Sequence, residues 1–156
     1  MAWLKLLTRK FKTYLKLSPW ERKLLWYALA LFPVIALSLQ LGGLGRTQKL
    51  ISRLSLPLPQ VSAQYKLARV WQTTRIVNIT SRYYFFLHNC LRQSLLLCWL
   101  LHNQGIVSEL RIGVQCQGEK FQAHAWVEYE GYPLNDSADV RKRFATFESA
   151  INFPRC

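Results

Sequence analysis

Acidic residues are nearly missing from the first half of this sequence. Residues 1–82 hold a single one, Glu21, against 14 lysines and arginines, whereas residues 83–156 hold seven of each sign. One half therefore carries the formal net charge of +13. That asymmetry argues against a uniformly basic nucleic-acid-binding domain, no nucleic-acid partner is expected, and the two halves should do different jobs. Zinc spacing is also absent. Neither CxxC nor HxxxH occurs around Cys90, Cys98, Cys116 and Cys156, so a structural zinc site has little support, and neither metal nor cofactor is expected. No short apolar stretch followed by a small-residue cleavage site opens the chain, which argues against a cleaved signal peptide. The cysteines are then expected as reduced cytosolic thiols, and the Asn78-Ile79-Thr80 sequon as a chance match. Repeats and low-complexity stretches are lacking too. With 156 residues, 51% of them apolar and 19% charged, the chain can fill one core but not two, and wholesale disorder is excluded.

What is present begins with residues 1–17, where Trp3, Leu4, Leu6, Leu7, Phe11, Tyr14, Leu15 and Leu17 interleave with Lys5, Arg9, Lys10, Lys12 and Lys16. At helical spacing this makes one apolar and one cationic side, suited to a membrane surface or an acidic partner, or else a solvated terminal helix. Ser18, Pro19 and Glu21 then supply an N-cap hydroxyl, a first-turn proline and a carboxylate three residues on. From 24 to 45 there are 22 residues without a charge, about the ~20 that span a hydrocarbon core. Pro33 should kink this helix, and Gly42, Gly43 and Gly45 should end it. Three readings stay open: a transmembrane helix, half of an interfacial hairpin, or a helix buried against the rest of the protein. Basic residues flank both ends, so charge gives no orientation.

Pro57-Leu58-Pro59 marks a break, and the chain divides into a basic and apolar helical region at 1–60 and a domain at 61–156. A helix is expected at about 62–79, followed by a strong one from Cys90 to His102. The latter has too many apolar positions for a surface helix and should be central, with Gly105 as its C-terminal cap. The rhythm then changes to period two. Leu110, Ile112 and Val114 alternate with Arg111, Gly113 and Gln115, and 121–130 repeats the pattern, so two strands are expected. In the second, Ala123, Ala125, Val127 and Tyr129 share one face, and Gln122, His124, Trp126 and Glu128 the other. Gly131 and Pro133 mark a turn into a short strand reaching Asn135 and Asp136, and a short helix is expected over about 138–150 with Phe144 and Phe147.

One constellation can do chemistry. Cys90 opens the central helix with Asn89 placed to cap it, and the unsatisfied N–H groups and dipole of a helix N-terminus favour a thiolate. His124 lies mid-strand. If the next strand is adjacent and antiparallel, the Gly131 turn returns Asp136 beside it. Thiolate, imidazole and orienting carboxylate are what nucleophilic acyl transfer requires. The bland alternative is a core cysteine and a merely hydrogen-bonded strand histidine. His88 is a rival base by proximity, and His102 suits a C-terminal dipole partner.

These residues resemble a family. The runs Cys90-Leu91-Arg92-Gln93-Ser94, Leu100-Leu101-His102-Asn103-Gln104-Gly105-Ile106, Arg111-Ile112-Gly113-Val114, Ala123-His124-Ala125-Trp126-Val127-Glu128 and Leu134-Asn135-Asp136 are similar to the leader peptidases of lasso peptide biosynthesis. Those enzymes belong to the transglutaminase-like, papain-related cysteine peptidases. The match spans about residues 85–150, and Leu17-Ser18-Pro19-Trp20-Glu21-Arg22-Lys23-Leu24-Leu25 also resembles the opening of the stand-alone form. The resemblance implies an α+β fold: N-terminal helices, then a transglutaminase-like core with a central helix packed on a small antiparallel sheet. It implies Cys90, His124 and Asp136 as catalytic residues and leader removal from a ribosomally made precursor as the reaction. The partners implied are the precursor's leader, a separate leader-recognition protein and a lasso cyclase. In the fused form a recognition domain occupies the N-terminus. Here about 60 residues, largely apolar and without strand alternation, stand in that place, so that domain is expected elsewhere. One departure is plain: residues 24–45 are more hydrophobic than in the family, which leaves membrane contact through residues 1–45 open for an otherwise cytoplasmic enzyme.

In this reading the Cys90 backbone N–H is the first oxyanion donor, with His88, Asn89 and Gln93 as alternatives for the second, and Trp126 shields the imidazole. Two rivals are a transglutaminase-like acyltransferase, which would resolve the same thioester with an amine, and a non-enzymatic membrane-surface or scaffold protein, for which Cys90 would be dispensable.

Overall fold

The computed structural model of the chain describes residues 14–54, 56, 58–84, 86, 87, 89–117 and 120–146. Residues 1–13 of the basic N-terminal segment, His88, Pro57, Phe147 and Cys156 lie outside the described residues. The first long helix, α1 (Pro19–Ser52), starts at the expected signal. Ser18 Oγ accepts Glu21 N–H at 3.2 Å and Glu21 Oε2 accepts Ser18 N–H at 2.8 Å, a reciprocal capping box. The helix runs through Pro33 and breaks at Gly43, whose φ of 68° lies in the left-handed region. It does not end there as expected. A second segment resumes because Thr47 is buried and bonded, donating to the Gly43 carbonyl at 2.8 Å and meeting Ser38 Oγ at 2.9 Å.

Leu24, Leu25, Ala28, Phe32, Ile35 and Ala36 recur at helical spacing and form the buried face of α1. They pack on α2 (Lys66–Tyr83) and α3 (Cys90–His102), and one hydrophobic cluster runs from Leu17 through α1, α2 and α3 to Leu110 and Val127 on the sheet. Trp99 Nε1 donates to the Ile51 carbonyl at 2.6 Å, tying the end of α1 to α3. A 3-10 turn (Ala63–Tyr65) precedes α2, which extends past the expected end at 79. The hydroxyls of Thr80 and Ser81 are buried and bonded to the carbonyls of Ile76 and Val77, so polar residues that read as a stop are absorbed into the helix.

The sheet is antiparallel in the order β3-β2-β1-β4, with β1 (Glu109–Gln117), β2 (Lys120–Tyr129), β3 (Tyr132–Pro133) and β4 (Ala145–Thr146). Between β2 and β3 stand Glu130 and Gly131, with φ of 50° and 82°. Both central residues in the left-handed region make the tight hairpin turn whose twist suits antiparallel strands. β3 is shorter than expected. It pairs only through Tyr132 and Pro133, after which Asn135 leaves the ladder and accepts the Val127 N–H with its side chain at 2.8 Å. The expected tail helix is one turn, α4 (Val140–Arg143), and the chain then enters β4, because Phe144 turns inward to pack on Trp126. The α+β architecture of helices followed by a central helix on a small antiparallel sheet is the one observed.

Candidate active site

Cys90 is the first residue of α3. Asn89 Oδ1 accepts the Arg92 N–H at 2.8 Å, and the Asn89 carbonyl accepts the Gln93 N–H at 3.1 Å. The cap therefore leaves the amides of Cys90 and Leu91 outside the helix's own ladder, where they can meet an anion. The thiol is part-buried and free. One turn on, on the same helix face, Ser94 is fully buried and donates to the Ala125 carbonyl at 3.1 Å. Ala125 is the residue after His124. Asn135 Nδ2 donates to Ser94 Oγ at 2.9 Å, so Ser94, Asn135 and the β2 backbone hold the helix start, the strand and the approach to Asp136 in one network.

His124 and Asp136 meet, as the hairpin argument requires: His124 Nε2 and Asp136 Oδ2 share a hydrogen bond. The other oxygen, Oδ1, accepts the Ser137 N–H at 2.6 Å, the Ser137 hydroxyl at 3.1 Å and Arg143 at 2.8 Å. Burial pushes the Asp136 carboxyl up, but the Ser137 amide, His124 and the Ser137 hydroxyl outweigh it and hold the group below the usual carboxylate range. Asp136 stays ionised and fixes the imidazole through Nε2. Nδ1 is then the nitrogen left to handle a proton.

The ring is also held by its faces. Phe144 stacks on His124 with centroids 4.9 Å apart, and Trp126 lies at 6.0 Å. Trp126 is fully buried and donates Nε1 to Glu128 at 2.8 Å, so its ring forms a fixed wall beside the imidazole. Gly113 is the β1 residue paired with His124, and a Cβ there would lie 2.9 Å from Phe144 Cβ. Ser94, Asn135, Arg143 and Gly113 are site residues that the sequence reading missed. Ser94 carries a visible signal, a lone hydroxyl four residues after Cys90 at the head of the apolar run 95–101. The others become visible only when separate elements meet.

Among the described residues no hydrogen bond joins Cys90 Sγ to His124, and the two are related through Ser94 and Ala125. Cys98 is no rival: burial pushes its thiol up to about 12 against the pull of Ser108. Cys116 is exposed on β1. Of the alternative oxyanion donors, Asn89 caps the helix through Oδ1, which accepts and does not occupy its Nδ2 donors, while Gln93 Nε2 donates to Asn78 at 2.6 Å. A cleft of about 570 Å³, lined by Ile51, Trp99, His102 and Ile106, sits at the far end of α3, roughly 18 Å along the helix from Cys90. Among the described residues no group of three or more His, Cys, Asp or Glu side chains is arranged to hold a metal.

Comparison with curated proteins and with solved structures found no match. A family profile described as Transglutaminase-like superfamily matches residues 31–149, which takes in most of α1 as well as Cys90, His124 and Asp136. The chain belongs to the transglutaminase-like superfamily, which includes cysteine peptidases and acyltransferases.

Proposed function

We propose that this protein is a cysteine peptidase that removes the leader from a ribosomally made, lasso-type precursor in the cytoplasm. The observation that carries the reading is the Nε2 bond between His124 and Asp136, which leaves Nδ1 to face a nucleophile. Cys90 at a helix N-terminus, fastened beside the same strand through Ser94, is that nucleophile. The Cys90 thiolate attacks the scissile carbonyl, forming the C–S bond, and the carbonyl electrons pass to the oxyanion. The Cys90 amide is its first donor. Collapse expels the amine of the core peptide, which takes its proton from the His124 imidazolium. Water then attacks the thioester, His124 accepts the water's proton, and the thiolate leaves with the leader carboxylate released. Asp136 holds the ring and stabilises its charged form throughout. The freed amine suits a separate cyclase, and a separate recognition protein delivers the leader.

Mass spectrometry of precursor incubated with the protein and its recognition partner, wild type beside Cys90→Ala, tests the reading. A single cut at the leader–core junction, lost in the variant, is expected. An intact precursor, with the partner demonstrably bound to the leader, would sink it. A product carrying an added amine at the acyl carbon would reassign the protein as an acyltransferase.

A further inference from the structure

The outer face of α1 has no counterpart in the chemistry above. Its inner face is filled by the core, yet Trp26, Val34, Leu37 and Leu41 point outward with Ala30 between them. Trp26 is 63% exposed, Leu37 57% and Leu41 76%. Positions 26, 30, 34, 37 and 41 fall on one stripe of a helix, roughly 22 Å long. No charge interrupts it, and each end is cationic: Lys23 lies over the Tyr27 ring at 5.9 Å, and the Arg46 side chain lies along Gly42. α1 is the one helix among the described residues long and apolar enough to cross a membrane by length and composition.

We infer that this stripe seats the protein on an anionic bilayer surface, with α1 lying in the interface and Lys23 and Arg46 against lipid headgroups. Spanning is a poor fit. Phe32 stacks on Tyr84 at 5.3 Å, and the Tyr84 hydroxyl donates to the Leu29 carbonyl at 2.8 Å, so α1 would carry α2, with Lys66, Arg69 and Arg75, into the hydrocarbon. The chain also turns at Gly43, and Thr47 returns to Ser38. A second copy of this chain is a poor occupant as well, since it would bring cationic ends together in a protein of net charge +13. A ridge of Trp and Leu between basic ends is instead the form of a helix buried shallowly in the headgroup boundary.

The inference does not depend on the peptidase reading. Its test is sedimentation of the full-length protein with vesicles of phosphatidylcholine alone, or of phosphatidylcholine with phosphatidylglycerol. Wild type should pellet with the anionic vesicles, weakly with the neutral ones, and less at high salt. The pair Leu37→Gln with Leu41→Gln should reduce partitioning about tenfold or more. Lys23→Gln with Arg46→Gln should lower it on anionic vesicles only. All four positions are exposed, and an unchanged unfolding midpoint shows that each variant is folded. Alkaline carbonate should strip the protein from cell membranes. Full binding by the leucine variant, indifference to anionic lipid, or resistance to carbonate would each overturn the proposal, the last in favour of a span.

Discussion

Gly113 shows how tightly a site can hold a residue that offers it no side chain. It pairs with His124 across β1 and β2, and an added Cβ would sit 2.9 Å from Phe144 Cβ, 3.0 Å from Trp126 Cη2 and 3.1 Å from the Ala145 carbonyl. Two of those atoms belong to fixed backbone or a first side-chain carbon, so Gly113→Ala must push Phe144 off the imidazole or part β1 from β4. A stability loss of about 1–3 kcal/mol is expected. Under the proposed peptidase function, the rate of precursor cleavage should fall about tenfold to hundredfold at little change in KM, because a misaimed ring fails in the chemical step. Steady-state kinetics beside thermal unfolding separates the two effects, and an unchanged kcat would mean that Phe144 is not needed to hold the ring. The sequence shows Gly113 only as one of the non-apolar positions in the β1 alternation. Its reason lies about 30 residues on, in Phe144 and Ala145.

At the scale of elements, the short stretch after Asp136 is held by a buried carboxylate. Glu128 on β2 accepts Arg141 Nε at 2.7 Å, Arg111 Nε at 3.2 Å and Trp126 Nε1 at 2.8 Å. Arg141 lies in α4, so this cluster fixes the one-turn helix from which Arg143 reaches Asp136 and Phe144 reaches His124. Burial pushes the Glu128 carboxyl up, but Arg141, Trp126 and Arg111 outweigh it and hold the group below its usual value. Glu128 and Asp136 therefore bind a proton more weakly folded than unfolded. Their stabilisation is complete above the unfolded carboxylate range, about pH 4, and is lost as pH falls through the lower folded values. Glu128→Gln should cost about 2 kcal/mol at neutral pH, since it takes the carboxylate from Arg141 and leaves Arg111 only Glu109. It should also flatten the acid dependence of stability. Denaturant unfolding at neutral and acid pH checks both, and a variant as acid-sensitive as wild type would shift the dependence to Asp136.

At the scale of the molecule, the basic N-terminal half and the half that bears the candidate site share one core. Leu24, Phe32 and Ile35 of α1 belong to the same cluster as Leu95, Trp99 and Leu101 of α3, and Trp99 is bonded to Ile51. A chain restricted to residues 61–156 would expose that face of α3. It should lose the cooperative unfolding transition of the full protein and precipitate or bind a hydrophobic dye. A sharp transition for the truncated chain would show instead that α2 and the sheet suffice to cover α3. The shared core also explains why charge asymmetry overstates the division of labour. α1 is cationic at its ends and apolar outside, while its inner face closes the fold.

Much of the candidate site was legible because its parts are local. Ser18, Pro19 and Glu21 mark a helix start, Asn89 and Gly105 bracket the helix that Cys90 opens, and a single Gly131 turn is enough to return Asp136 to His124. Each depends on residues close in sequence, where propensity and hydrogen-bond geometry act directly. Two matters were decided only in three dimensions. Hydropathy reads the same whether an apolar helix meets lipid or another helix, so the burial of one α1 face and the exposure of the other required α2 and α3 to be in place. The closure of Phe144 and Arg143 over His124 and Asp136 depends on the buried Glu128 cluster, whose members come from β1, β2 and α4, and long-range ion pairing leaves no periodic trace along a chain.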